Sequence, residues 1–106
     1  MKPLPLLSLG LSLGLLLATS SAWPADPQRL RMRALAATCA QCHGTDGQAV
    51  EGQALLRLAG QPKSYLLTQL LAFRSGQRPA TIMHQITRGY SQEQLDEVAT
   101  YFAGLQ

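Results

Sequence analysis

The chain has 106 residues, two cysteines and a formal net charge of +3, from nine basic and six acidic side chains. That length allows one domain. Two cysteines exclude a disulfide-dense framework, and so small a positive balance gives no electrostatic case for nucleic acid as a partner.

In chain order, the first segment reads as an export leader. Lys2 supplies one positive charge, Leu6 to Ala18 is apolar, and the small residues Ser20, Ser21 and Ala22 follow. Charge, apolar run and small-residue site in that order make a signal peptide. Ser20 and Ala22 predict cleavage after Ala22, with cleavage after Ala25 as the secondary choice. Residues 1–22 are therefore expected to be removed, leaving 23–106 as one domain in the periplasm. A leader retained as a membrane anchor is the alternative, but the run is short of the about 20 apolar residues that a spanning helix needs. The remaining chain is small, and small chains lean on disulfides, a metal or a cofactor for stability. With so few cysteines, a large buried prosthetic group is the expectation.

Asp26 followed by Pro27 is a helix start: the carboxylate caps orphan N–H groups and proline suits the first turn. A helix is predicted from Pro27 to about Cys39, with Leu30, Ala34, Ala37 and Thr38 on one face. Arg29, Arg31 and Arg33 alternate along it and read as a solvated face. Residues 44–60 are loop-like, with glycine at 44, 47, 52 and 60 and a short helical turn around Gln53–Leu58. Pro62 opens a second helix that runs to Ser75 and stops at Gly76. Its stripe is Tyr65, Leu66, Gln69, Leu70 and Phe73. Arg78-Pro79 breaks the chain. A short third helix spans Thr81 to Arg88, ended by Gly89. Ser91 and Gln94 form a capping box for the last helix, whose buried face is Leu95, Val98, Ala99 and Phe102. No segment alternates apolar and polar residues as a strand would, and there is no internal repeat. The fold class is all-α, with four or so helices.

The chemistry concentrates at Cys39-Ala40-Gln41-Cys42-His43. C-x-x-C-H is the attachment motif of c-type haem. Two thiols three positions apart reach two vinyl groups on one porphyrin edge. His43 then lies under the iron, and Gly44 adds no side chain to crowd the ring. Two other readings use the same residues. A thioredoxin-type disulfide belongs beside a βαβ pattern, which this chain lacks. A closed zinc site needs a second Cys/His pair, and His84 is the one other histidine. Iron with one histidine takes a sixth ligand or keeps an open position. Outside the leader the candidates are Met32, Met83 and His84. Met32 lies too close to Cys39 on the same helix to reach the other haem face. Met83 and His84 follow after enough chain to wrap the porphyrin. For Met83, a packed core position within Ile82-Met83-Ile86 is the competing assignment. Residue His84 should point about 100° away from its neighbour on a helix.

These residues sit in a longer pattern. Cys39–Gly44 with Asp46-Gly47, Leu58-Ala59-Gly60-Gln61, Tyr65-Leu66, Phe73–Arg78, Ile82-Met83, Gly89–Leu95 and Ala99–Phe102 follow one another in order. The chain resembles the class I c-type cytochromes. More narrowly, it is similar to the domains of periplasmic diheme cytochromes c and to the cytochrome subunit of flavocytochrome c sulfide dehydrogenase. The resemblance implies a cytochrome c fold around one covalent haem c, with iron held axially by His43 and Met83. It implies first and last helices that cross, the Leu95/Val98/Phe102 face against Leu30/Ala34. This chain departs from the pattern at one point: relatives usually carry proline at the position of Leu56, where the carbonyl receives the axial histidine's hydrogen bond, and the Leu56 carbonyl can serve in the same way because the bond uses backbone. Relatives often have two such domains; this chain has one.

The implied function is that of a periplasmic one-electron carrier working by outer-sphere transfer, with no acid, base or other catalytic residue. Its partners would be redox proteins such as a flavoprotein dehydrogenase or a terminal oxidase, with membrane contact only through a retained leader. The alternatives are the haem subunit of a sulfide- or sulfur-oxidising flavoprotein complex, and a gas-binding haem protein with an open iron site. A haem-free zinc or disulfide module is the third.

Overall fold

Local signals fix most helix ends in the computed structural model, which describes residues 24–53 and 56–106. The expected leader 1–22 and its cleavage site lie outside the described residues. Helix α1 is Pro27–Ala36, and Asp26 caps it by accepting the Gln28 N–H at 3.0 Å. The predicted continuation to Cys39 changes character. Ala37–Cys39 is a 3₁₀ turn, and a four-residue helix, α2, follows over Ala40–His43. A second 3₁₀ turn, Thr45–Gly47, holds Asp46 in the left-handed region at φ 51°.

Helix α3 spans Lys63–Ser75, with Pro62 before it and left-handed Gly76 after it. Helix α4 is shorter than expected, Met83–Arg88, because Ile82 at φ −138°, ψ −30° lies outside the helical region and caps the helix with no side-chain bond. Helix α5 is Gln92–Ala103, and its capping box is complete: Ser91 Oγ accepts the Gln94 N–H while Gln94 Oε1 accepts the Ser91 N–H. Among the described residues there is no strand. No described helix is long and apolar enough to cross a membrane.

Helix α5 is the centre of the packing, with α1 on one side and α3 on another; α4 packs on α3. The core joins Ala36, Leu66, Val98, Ala99, Tyr101 and Phe102, with Met32, Leu35 and Cys39 against it. This corrects the expected face of α1. Leu30 is 53% exposed, and Ala34, Ala37 and Thr38 are exposed as well. The buried stripe is instead Met32, Leu35, Ala36 and Cys39, at the i, i+3, i+4, i+7 spacing of one helix side. Met, Leu and Cys offer more apolar area there than three small residues on the other side, and burial follows area. The arginine face is solvated as read, yet two of its members reach across. Arg31 makes a two-pronged pair with Glu97 of α5 at 2.9 and 3.1 Å. Arg33 lies 3.7 Å from Asp46. Such exposed pairs add little stability; the first links α1 to α5 and the second links α1 to the 45–47 turn.

Candidate functional site

Between α3, α4, α5 and the 38–43 segment lies a cavity of about 270 Å³. Its walls come from the elements the sequence marked out. Tyr65, Leu66, Gln69, Leu70 and Phe73, the whole predicted stripe of α3, line one side. Ile82, Met83 and Ile86 contribute from α4, and Val98, Ala99 and Phe102 from α5. Cys39, Cys42 and His43 line the same space. Four residues predicted from motif and ligand arguments are therefore gathered around one cavity.

Each of them is set in place by identifiable contacts. Cys39 packs against the core, and burial raises its thiol above the ordinary range, with the Thr38 hydroxyl opposing the shift. Cys42 is exposed at the edge. Just ahead of Cys39, the Tyr90 hydroxyl donates to the Leu35 carbonyl at 3.2 Å and accepts from the Thr38 hydroxyl. That pair ties the end of α1 to the turn before α5.

His43 ends α2, and its Nδ1 donates to the Leu56 carbonyl at 2.5 Å. A carbonyl can only accept, so the proton of the neutral ring is on Nδ1. Nε2 is left with its lone pair available for a metal. The predicted use of Leu56 in place of proline is thus seen in the contact itself. Leu56 is held by other means: its N–H donates to Gln53, and the Gly47 carbonyl accepts from both Leu58 and Ala59 just beyond it.

Gly44 and Gly47 make this loop possible. Gly44 has φ +81°, and a Cβ there would fall 1.8 Å from the Gln48 carbonyl oxygen. Gly47 has φ +71° and lies against the Phe102 ring. Between them, Asp46 accepts a 2.7 Å hydrogen bond from the Tyr101 hydroxyl. Burial, and then the Asp46 carboxylate, raise the Tyr101 pKa above its usual value.

Met83 opens α4 and lines the cavity, whereas His84 does not. Thr87 is buried to 1% exposure, and its hydroxyl donates to the Met83 carbonyl at 2.9 Å. It stiffens the single turn that carries Met83, a role the sequence could have suggested from the i, i+4 spacing. His84 faces elsewhere, its buried Nδ1 without a hydrogen-bond partner among the described residues. Met32 packs against the core and does not line the cavity. Among the described residues no three His, Cys, Asp or Glu side chains converge as a metal-ion site.

The donor set fits a covalently attached haem on its chemistry. Two thiols, one imidazole nitrogen and one thioether line a single, largely apolar space.

Comparison with known proteins points the same way. The sequence profile of the family described as Cytochrome c matches residues 32–106. The chain is 35% identical over 71 residues to the cytochrome subunit of sulfide dehydrogenase of Chlorobaculum tepidum, covering 67% of this chain and 63% of that one. It is 34% identical over 89 residues to the thiosulfate dehydrogenase electron acceptor of Thiomonas intermedia, covering 84% of this chain and 38% of that one. Against cytochrome c-554(548) of Halomonas halodenitrificans the identity is 38% over 69 residues, covering 62% of this chain and 82% of the relative. The chain thus spans less than two thirds of the first two of these relatives.

Proposed function

The chain belongs to the cytochrome c family, and on that premise we propose that it carries one haem c on Cys39 and Cys42, ligated by His43 and Met83, and passes single electrons between periplasmic partners. Electron transfer through covalent haem c is the work of this family. The assignment of residues rests chiefly on one observation: Cys39, Cys42, His43 and Met83 line the same cavity, and His84 does not.

Bound there, haem supplies a one-electron ferric/ferrous couple. The chain's residues do the rest. The two thiols fix the group covalently. Leu56 holds the His43 ring through Nδ1 and leaves Nε2 as donor; such a bond also raises the basicity of the ligand. A thioether partner raises the potential relative to a second histidine. Leu66, Leu70, Val98 and Phe102 keep water from the site. None of the proposed ligands is asked to act as an acid or base, so the protein is a carrier and any catalysis belongs to a partner. Residues 1–22 direct export and are removed.

A second reading has its own support. Two of the relatives are named for sulfide dehydrogenase and thiosulfate dehydrogenase. A dehydrogenase that oxidises a reduced sulfur compound is accordingly the proposed class of electron donor, whether it binds this chain as a subunit or meets it in collisions.

Absorption of the mature holoprotein tests the ligation. The ferric form should show the weak near-infrared sulfur-to-iron charge-transfer band. Met83→Ala should abolish that band while leaving the haem covalently attached. Haem without the band in the unmodified protein would transfer the sixth position to His84 or leave it open to gases. No covalent haem would overturn the proposal.

A further inference from the structure

Among the described residues, the lining of the cavity contains no acidic side chain, and its permanently charged members are Arg57 and Arg78. Six acidic residues are available in the chain. The ion pairs formed among the described residues use Arg31, Arg33 and Lys63, none of which lines this cavity. Among the described residues, neither Arg57 nor Arg78 has a carboxylate oxygen within 4.0 Å.

Both are nevertheless held. The Arg57 Nε donates to the Ala59 carbonyl at 3.3 Å. The Arg78 guanidinium lies 4.6 Å from the centre of the Phe73 ring, and its Nη1 donates to Gln69 Oε1. Its backbone N–H is fixed to Ala72 at 3.0 Å. A guanidinium has five N–H donors, and each of these spends one on another side chain or the backbone. Both are exposed residues at the rim of a largely apolar cavity, anchored there and with donors to spare for an anion. The planar fork of arginine matches a carboxylate.

We propose that Arg57 and Arg78 are the carboxylate-binding residues of the cavity and pair with the two propionates of haem c. This rests on the haem reading above. A carboxylate against apolar walls is costly unless paired and hydrogen-bonded, and these are the two charged donors placed to do it. Their positive charge also favours the ferrous state, so they raise the potential.

The test uses the holoprotein and the variants Arg57→Gln, Arg78→Gln, Arg57→Lys and Arg78→Lys. Two quantities are read: the propionate bending modes in the resonance Raman spectrum, and the reduction potential. Each Gln variant should shift a propionate mode and lower the potential. Each Lys variant should restore much of the potential, since charge returns, while its mode stays displaced, since the fork does not. Unmoved modes in haem-loaded Gln variants overturn the pairing. So does a lower potential with unmoved modes, which is the field of a distant charge. If a Gln variant fails to accumulate haem, the Lys variant carries the same Raman comparison. Missing haem or a missing sulfur band in the unmodified protein would instead defeat the ligation proposal, so the two failures are separable.

Discussion

Tyr101 shows how a single hydroxyl can hold the loop behind His43. Its donor bond at 2.7 Å restrains Asp46, and Arg33 approaches the same carboxylate oxygen at 3.7 Å. Asp46 needs such restraint, because a non-glycine residue at φ 51° is in a disfavoured region. Next to it, Gly47 offers the carbonyl that anchors Leu58 and Ala59. Tyr101→Phe should therefore destabilise the protein by about 1 kcal/mol at neutral pH, the usual net worth of such a bond. The pH dependence has a definite sign. The folded-state pKa of Tyr101 is raised above its usual value of about 10, so its contribution is complete below that value. It is lost as pH rises through the raised folded value. Urea unfolding across an alkaline series should show the two proteins converging. A gap that stays constant with pH would mean that the hydroxyl contributes nothing through its proton.

At the scale of elements, the loop between α2 and α3 is set by steric exclusion. A Cβ on Gly47 would lie 2.7 and 2.9 Å from two carbons of the Phe102 ring and 3.0 Å from the Ala59 nitrogen. Phe102 is itself 2% exposed and cannot retreat freely. Gly47→Ala adds that clash to a left-handed φ, for a loss of about 2–4 kcal/mol from overpacking and backbone strain together. Thermal unfolding would measure it, and a shift within error would show that the 45–47 turn relaxes at no cost. Elements whose ends are dictated locally were legible in the sequence: Asp26-Pro27 at the start of α1, Gly76 after α3, and Ser91 with Gln94 ahead of α5. The α3 stripe was legible too, as period-3.6 apolar residues, and it proved to be a cavity wall. What the sequence did not reveal depends on distant partners. The buried side of α1 is chosen by what α5 presents, and Met32 was weighed only as a ligand. The Tyr101–Asp46, Tyr90–Leu35 and Thr38–Tyr90 bonds join residues more than fifty positions apart, and no local pattern announces them.

The whole molecule is organised around a space that its own side chains do not fill. Buried apolar residues are few, eight among those described, and several of them, Leu66, Val98, Ala99 and Phe102, also line the cavity. The helices α3, α4 and α5 therefore meet each other partly through that space. A group seated there is worth about 25 cal/mol for each Å² of apolar wall it covers. The whole stability of a small domain is about 5–15 kcal/mol. Cofactor attachment and folding are on this account one event, and the C-x-x-C-H motif is as much a structural staple as a redox site. The double variant Cys39→Ala/Cys42→Ala isolates the effect, since it removes the covalent link and leaves every other wall residue unchanged. Far-UV circular dichroism should show it largely without helix at room temperature, or melting tens of degrees below the holoprotein. Non-covalent haem added back should recover part of the helix through His43 and Met83. A haem-free variant that keeps its helices and melts within a few degrees of the holoprotein would show that α1, α3 and α5 suffice alone, and that the cavity collapses rather than waits to be filled.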